Sequence, residues 1–223
     1  MIYTSTDSGE SWKIIMNRLE YSRFDWNIPY MKPSYNGGGN CVHWISDIKL
    51  SPFDSDTTLF NTGTGLFMIT GLASGDVLVK PFCEGIEETV HLNVYTTPHG
   101  RNRIIDIIGD LGGFAFEDYD SECENSFANE NGDRYITCLN ADFTLQRPEY
   151  IAATPRGNWT GKTKGGLILS KDCGSTWERL PMPRGLSEFT DKKLDNIEKP
   201  NVDSGWTAIS ADGKRIMWAV AGG

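Results

Sequence analysis

Apolar and polar residues alternate along this chain in short runs, each closed by Gly, Asp, Asn or Pro. Helical spacing is almost absent. The runs at 44–50, 58–60, 65–69, 90–95, 103–108, 166–169 and 215–220 have the length and the flanking residues of β-strands. The segment 187–198 is the best helix candidate and reads as a loop insertion. The pattern predicts an all-β fold.

Two segments share the pattern S-x-D-x-G-x-[ST]-W, at residues 5–12 and 170–177. Each follows a short apolar run and precedes another. The arrangement predicts a hairpin corner in which Asp7 or Asp172 accepts hydrogen bonds from turn N–H groups. The glycine takes a positive φ, and the tryptophan packs back over the turn. A weaker relative lies at Ser210-Ala211-Asp212-Gly213. The pattern is that of the Asp-box, or BNR repeat, which joins outer strands of β-propeller blades. Its aspartate is structural rather than catalytic. Blades of roughly 40–50 residues would give about four or five over 1–223. Both ends read as cut through structure, so the expectation is an incomplete arc from a larger propeller.

Composition narrows the partners. The 223 residues carry 21 Lys+Arg against 30 Asp+Glu, a net charge of -9. A nucleic-acid binder needs a basic stripe to neutralise phosphates, and none is present. No run reaches the roughly 18 apolar residues of a membrane-spanning helix. No charged and then apolar leader opens the chain. The five cysteines include no CxxC pair that would point to a zinc ribbon. Cys123 and Cys138 flank a Gly-Asp turn candidate and could pair, although free thiols are the favoured reading. A single sequon, at 158–160, does not fix the compartment.

The chemistry centres on residues 104–120, IIDIIGDLGGFAFEDYD. Asp110 follows an apolar strand and precedes Gly112-Gly113. That placement lifts a carboxylate onto a strand end, beside small residues that let a ligand approach the backbone. An Asx-turn is the plainer alternative. Asp106 lies inside the apolar run and reads as a strand residue.

Several segments together resemble family 74 of the glycoside hydrolases, the xyloglucanases. They are W-I-S-D-I-K-L-S-P-F-D at 44–54, L-F-N-T-G-T-G-L at 59–66, G-I-E-E-T at 85–89, G-D-L-G-G-F at 109–114 and G-W-T-A-I-S-A-D-G at 205–213. Their order and spacing agree across nearly the whole chain. The resemblance implies two seven-bladed propellers with a cleft between them, and cleavage of the β-1,4-glucan backbone of xyloglucan with inversion. It places the general acid at Asp110. The family's general base lies in a T-D-x-G-G-A-Y-R-W segment, which this sequence lacks. Phe116 stands where the family commonly has His. By the same resemblance the protein acts outside the cell on a plant cell-wall glucan. No cofactor or metal is expected, and the missing propeller half is an expected further partner.

Sugar rings stack on aromatic faces, which makes Trp26, Tyr30 and Trp44, near the glycine-rich loop 36–40, candidate contacts. Glu88 and its neighbour Glu87 are candidate hydroxyl ligands. Gly112, Gly113 and Phe114 complete the expected substrate-binding set. Asp118, Asp120 and Glu122 alternate in an acidic stretch whose favoured reading is a solvated loop rather than a Ca²⁺ site. His43, His91 and His99 have no flanking nucleophile motif and read as surface or turn residues. Two rivals remain. One is a non-catalytic Asp-box propeller that binds glycans or proteins. The other, a sialidase-like hydrolase, ranks low because no arginine triad is visible.

Overall fold

A computed structural model describes residues 1–16, 24–25, 28–31, 44–86, 89–123, 126–157, 163–181 and 205–220. The helix candidate at 187–198 and the sequon lie outside these residues. Fifteen strands run through the described residues. The chain forms two compact units, Met1–Glu88 and Thr89–Gly223.

In the first unit, β1 (Ile2–Thr4) and β2 (Lys13–Met16) form a hairpin. A four-stranded antiparallel sheet follows, with β3 (Asp47–Leu50), β4 (Thr58–Thr62), β5 (Gly65–Thr70) and β6 (Leu78–Pro81) in chain order. Burial alternates along β4 and β5, as period-two side chains require when one sheet face meets a core. Phe60 and Phe67, paired in register, stack with ring centroids 5.3 Å apart. Strand β3 covers only the second half of the predicted run, because Trp44 has a left-handed backbone (φ 53°) that extended pairing does not accept.

The second unit holds three sheets. The first contains β7 (Val90–Thr96), β8 (Ile104–Gly109) and β9 (Gly112–Phe116). Bridges Phe114–Ser126 and Gly112–Thr137 dock the segment 126–137 along β9. The second contains β10 (Cys138–Phe143), β11 (Ile151–Pro155), β12 (Ile168–Ser170) and β13 (Glu178–Arg179). The third is the hairpin of β14 (Gly205–Ile209) and β15 (Ile216–Val220). Ile105 and Ile107 of the first sheet meet Ala141, Ile151, Ala153 and Ile168 of the second in one core. On its other face the second sheet meets Ile209 and Trp218 of the third through Ala152, Leu167 and Leu169. Consecutive sheets therefore stack face to face, as blades do.

Side chains also stitch the blades together. Buried Asn140 on β10 donates to Tyr95 Oη on β7 at 3.2 Å and accepts from the Thr207 N–H on β14 at 2.8 Å. Asp142 accepts from the Ile209 N–H at 2.8 Å.

Both Asp-box corners form as expected. Asp7 Oδ1 accepts from the Ser11 N–H at 2.9 Å, and Asp172 Oδ1 accepts from the Thr176 N–H at 2.8 Å. The residue before each corner glycine, Ser8 or Cys173, has φ 60°. The third corner is tighter, with Asp212 accepting from the Ser210 hydroxyl and from the N–H two residues on, that of Lys214, rather than four residues on.

The favoured reading of free thiols holds for the described cysteines. Cys123 and Cys138 are both free and buried, as are Cys83 and Cys173. Burial pushes the Cys123 thiol up to about 11 and the Cys138 thiol up to about 12, so neither is poised to ionise.

Candidate active site

Asp110 occupies the turn between β8 and β9. Its φ is 64°, the left-handed region that aspartate tolerates better than most side chains. Two side chains from the segment before β10 hold that backbone. The Asp110 N–H donates to Thr137 Oγ1 at 3.0 Å, and Arg134 Nη1 donates to the Asp110 carbonyl at 2.8 Å. Both main-chain groups are thus taken, while the exposed carboxylate has no hydrogen bond or ion pair among the described residues. A carboxyl group fixed at its root and free at its tip suits proton transfer to a bound ligand.

The small residues beside it do something other than leave room. Gly112, Gly113 and Phe114 are all buried. A methyl at Gly113 would come within 2.6 Å of the Asp106 carbonyl and 2.7 Å of the Phe127 ring. At Gly112 (φ 82°) it would come within 2.8 Å of the Tyr135 carbonyl. Space that the sequence reserves for a ligand is therefore filled by the segment 126–137, and the two glycines let that segment dock. Phe114 packs edge-on against Phe116, with centroids 6.1 Å apart. Phe116 is half-buried, which puts an apolar ring where the resemblance expects an imidazole.

Trp44 is 78% exposed in the first unit. Its ring lies over Gly63, where a methyl would come within 3.3 Å of Cε3. The six-membered ring edge thus lies close to Gly63 while the residue remains largely open to solvent. Tyr30 is a core residue instead, buried with its hydroxyl donating to the Thr64 carbonyl at 3.2 Å. Trp26, Glu87 and Glu88 lie outside the described residues. Asp118 accepts from the Ser121 hydroxyl and the Asp120 N–H, which lowers its pKa. No group of three or more His, Cys, Asp or Glu suited to a metal occurs among the described residues.

One cluster escaped sequence reasoning. His91 on β7 bonds Asp106 on β8, and Thr89 bonds the other ring nitrogen of His91. Burial pushes the Asp106 carboxyl up, and the His91 hydrogen bond works against that rise. The signal would have been a Thr-x-His pair facing an aspartate inside an otherwise apolar strand.

No family model matches the chain, but individual proteins do. A xyloglucanase from Paenibacillus sp. is 25% identical over 239 residues, covering 99% of this chain and 21% of that protein. An oligoxyloglucan-reducing end-specific xyloglucanase from Emericella nidulans is 28% identical over 254 residues, covering 99% of this chain and 30% of that protein. Among solved structures, the GH74 xyloglucanase of Xanthomonas campestris superposes with a TM-score of 0.71 at 21% identity, over 97% of this chain and 28% of that one. A GH74 enzyme of Niastella koreensis gives a TM-score of 0.71 at 19% identity, over 97% and 26%. The fold is thus all-β and built of propeller-type blades. Within that class, the chain is similar over nearly its whole length to these xyloglucanases, and it spans less than a third of the length of the curated relatives it matches.

Proposed function

We propose that this chain is the acid-bearing portion of a xyloglucan-cleaving glycoside hydrolase, with Asp110 as general acid. The observation that carries the reading is the Asp110 turn. It combines a left-handed backbone, a main chain held at both ends and an uncommitted exposed carboxylate, within the G-D-L-G-G-F segment. The xyloglucanase relatives support the substrate class.

In this reading Asp110 protonates the leaving glycosidic oxygen as the bond breaks. An inverting reaction needs a second carboxylate about 6.5–9.5 Å away, with a water between it and the sugar. No T-D-x-G-G-A-Y-R-W segment occurs in the 223 residues, so that base comes from polypeptide outside this sequence. Within the first unit, the solvent-exposed Trp44 offers a surface for sugar stacking. Action on a wall polysaccharide puts the protein outside the cell.

The test is reducing-end release from xyloglucan, with NMR of the product anomer, for the protein carrying this chain and for Asp110→Asn. Loss of turnover by a factor of about 10² or more, with unchanged melting and an α-anomer first product from the wild type, supports the reading. The 223-residue chain alone should release little or no sugar. Retained oligosaccharide binding without turnover in any context would favour the second reading, a glycan-binding propeller, which the exposed Trp44 also fits.

A further inference from the structure

Unit 2 carries a second set of reactive side chains that glycoside cleavage leaves unused. Strand β7 pairs His91 with Ile108 of β8, and a bulge at Leu92 shifts the register before Asn93. Paired residues share a sheet face, and so do residues two apart on one strand, so Asp106 stands diagonal to His91 on one side. His91 Nδ1 lies 3.0 Å from Asp106 Oδ1 and 2.8 Å from Oδ2. His91 Nε2 lies 2.6 Å from Thr89 Oγ1. Asp106 is 7% exposed, whereas the His91 side chain is 53% exposed. The carboxylate is sheltered while the imidazole and the hydroxyl beside it meet solvent.

With Asp106 ionised and His91 neutral, the donor inventory gives the chain one direction. A carboxylate only accepts, so neutral His91 carries its proton on Nδ1 and donates it to Asp106. That leaves Nε2 as an acceptor, and the Thr89 hydroxyl donates to it. Such arrays are recognised by geometry and role rather than by order in the chain.

We infer that Thr89, His91 and Asp106 form a nucleophile, base and orienting acid that takes the acyl group of small carboxylic esters. Thr89 Oγ attacks the ester carbonyl carbon and its proton passes to His91 Nε2, where Asp106 stabilises the imidazolium. The C–O bond to the alcohol breaks, and the proton on His91 passes to a basic alkoxide or, when the leaving group is a weakly basic nitrophenolate, to solvent, which returns His91 to its neutral form. Water, activated by His91, then cleaves the acyl-threonine to the carboxylic acid and restores the hydroxyl. No oxidant or metal enters the balance. This inference stands apart from the role given to Asp110.

The probe is p-nitrophenyl acetate with the full chain, followed by nitrophenolate release and by peptide mapping of the acetylated protein. The expected result is one acetyl group on Thr89, and release that falls by about tenfold or more in Thr89→Ala. His91→Gln should lose the adduct, while Thr89→Ser should keep it and react faster, because the crowding methyl is gone. Thr89 is partly exposed at the head of a strand, and equal melting temperatures would show that the variants fold. Acetyl found only on His91 or on lysines, or release unchanged in Thr89→Ala, would overturn the assignment.

Discussion

The two Asp-box corners share a hydrogen-bond plan and differ in nearly everything around it. At residues 5–12, Gly9 N–H to Ser5 Oγ is 2.8 Å and Ser11 Oγ to Asp7 Oδ2 is 2.5 Å. At residues 170–177, the matching bonds are 2.7 and 2.6 Å. Yet Trp12 is 65% exposed and Trp177 is 5% exposed. The exposed indole donates to the Gly9 carbonyl at 3.1 Å, closing its own turn. The buried Trp177 Nε1 has no hydrogen-bond partner among the described residues, and the ring instead packs on Phe127 at 4.5 Å. Asn102 reinforces only the second corner, donating to the Cys173 carbonyl at 3.0 Å and the Ser175 hydroxyl at 3.2 Å. The corner is thus a self-contained local structure. Whether it carries stability depends on what the tryptophan can reach.

Breaking that contrast should show first in the indoles. Trp177→Ala should cost about 3–5 kcal/mol in denaturant melts, because it empties a filled site between two blades. Trp12→Ala should stay under about 1 kcal/mol. Trp177→Phe removes an unpaired N–H while keeping a ring, and should recover most of the loss. Next, Asp172→Ala should cost about 1–3 kcal/mol through the turn donors it leaves unmatched, and the melt of Asp7→Ala should move less. Asn102→Ala, measured in the same way, should cost about 1 kcal/mol and loosen only the second corner, read as faster amide exchange at 173–176.

The smallest effect is in acid. Hydrogen bonds from the Ser11 hydroxyl and N–H hold Asp7 at about 2, below the 3.8 of an unperturbed carboxyl. Partial burial opposes ionisation of Asp172, but the Thr176 bonds outweigh it and its pKa is also lowered. A carboxylate lowered in the folded state favours folding above its unfolded pKa, and that contribution disappears as pH falls through the folded value. Carboxyl NMR should therefore find Asp7 titrating near 2. A value near 3.8 would mean that the exposed corner is not formed in solution.

The corners and most strands could be read from the sequence because each is decided within a few neighbouring residues. The Asp110 turn was visible for the same reason. What lay beyond reach depended on residues far apart in the chain. The segment 126–137 fills the space around Gly112 and Gly113, a contact that no local pattern announces. His91 and Asp106 are fifteen residues apart and meet through strand pairing and a bulge. Tyr30 and Trp44 are both aromatic residues flanking the same glycine-rich loop, yet one is core and the other is 78% exposed.

Asn140 has a consequence for how the second unit comes apart. Its amide group touches β7 on one side and β14 on the other, from a strand in the middle sheet. Losing any one of the three sheets strands a buried polar group, and that raises the free energy of every partly opened form relative to the native and fully unfolded chains. The asparagine therefore acts as a cooperativity element. It makes three separately hydrogen-bonded sheets exchange their amides in a common opening event rather than peel away one at a time.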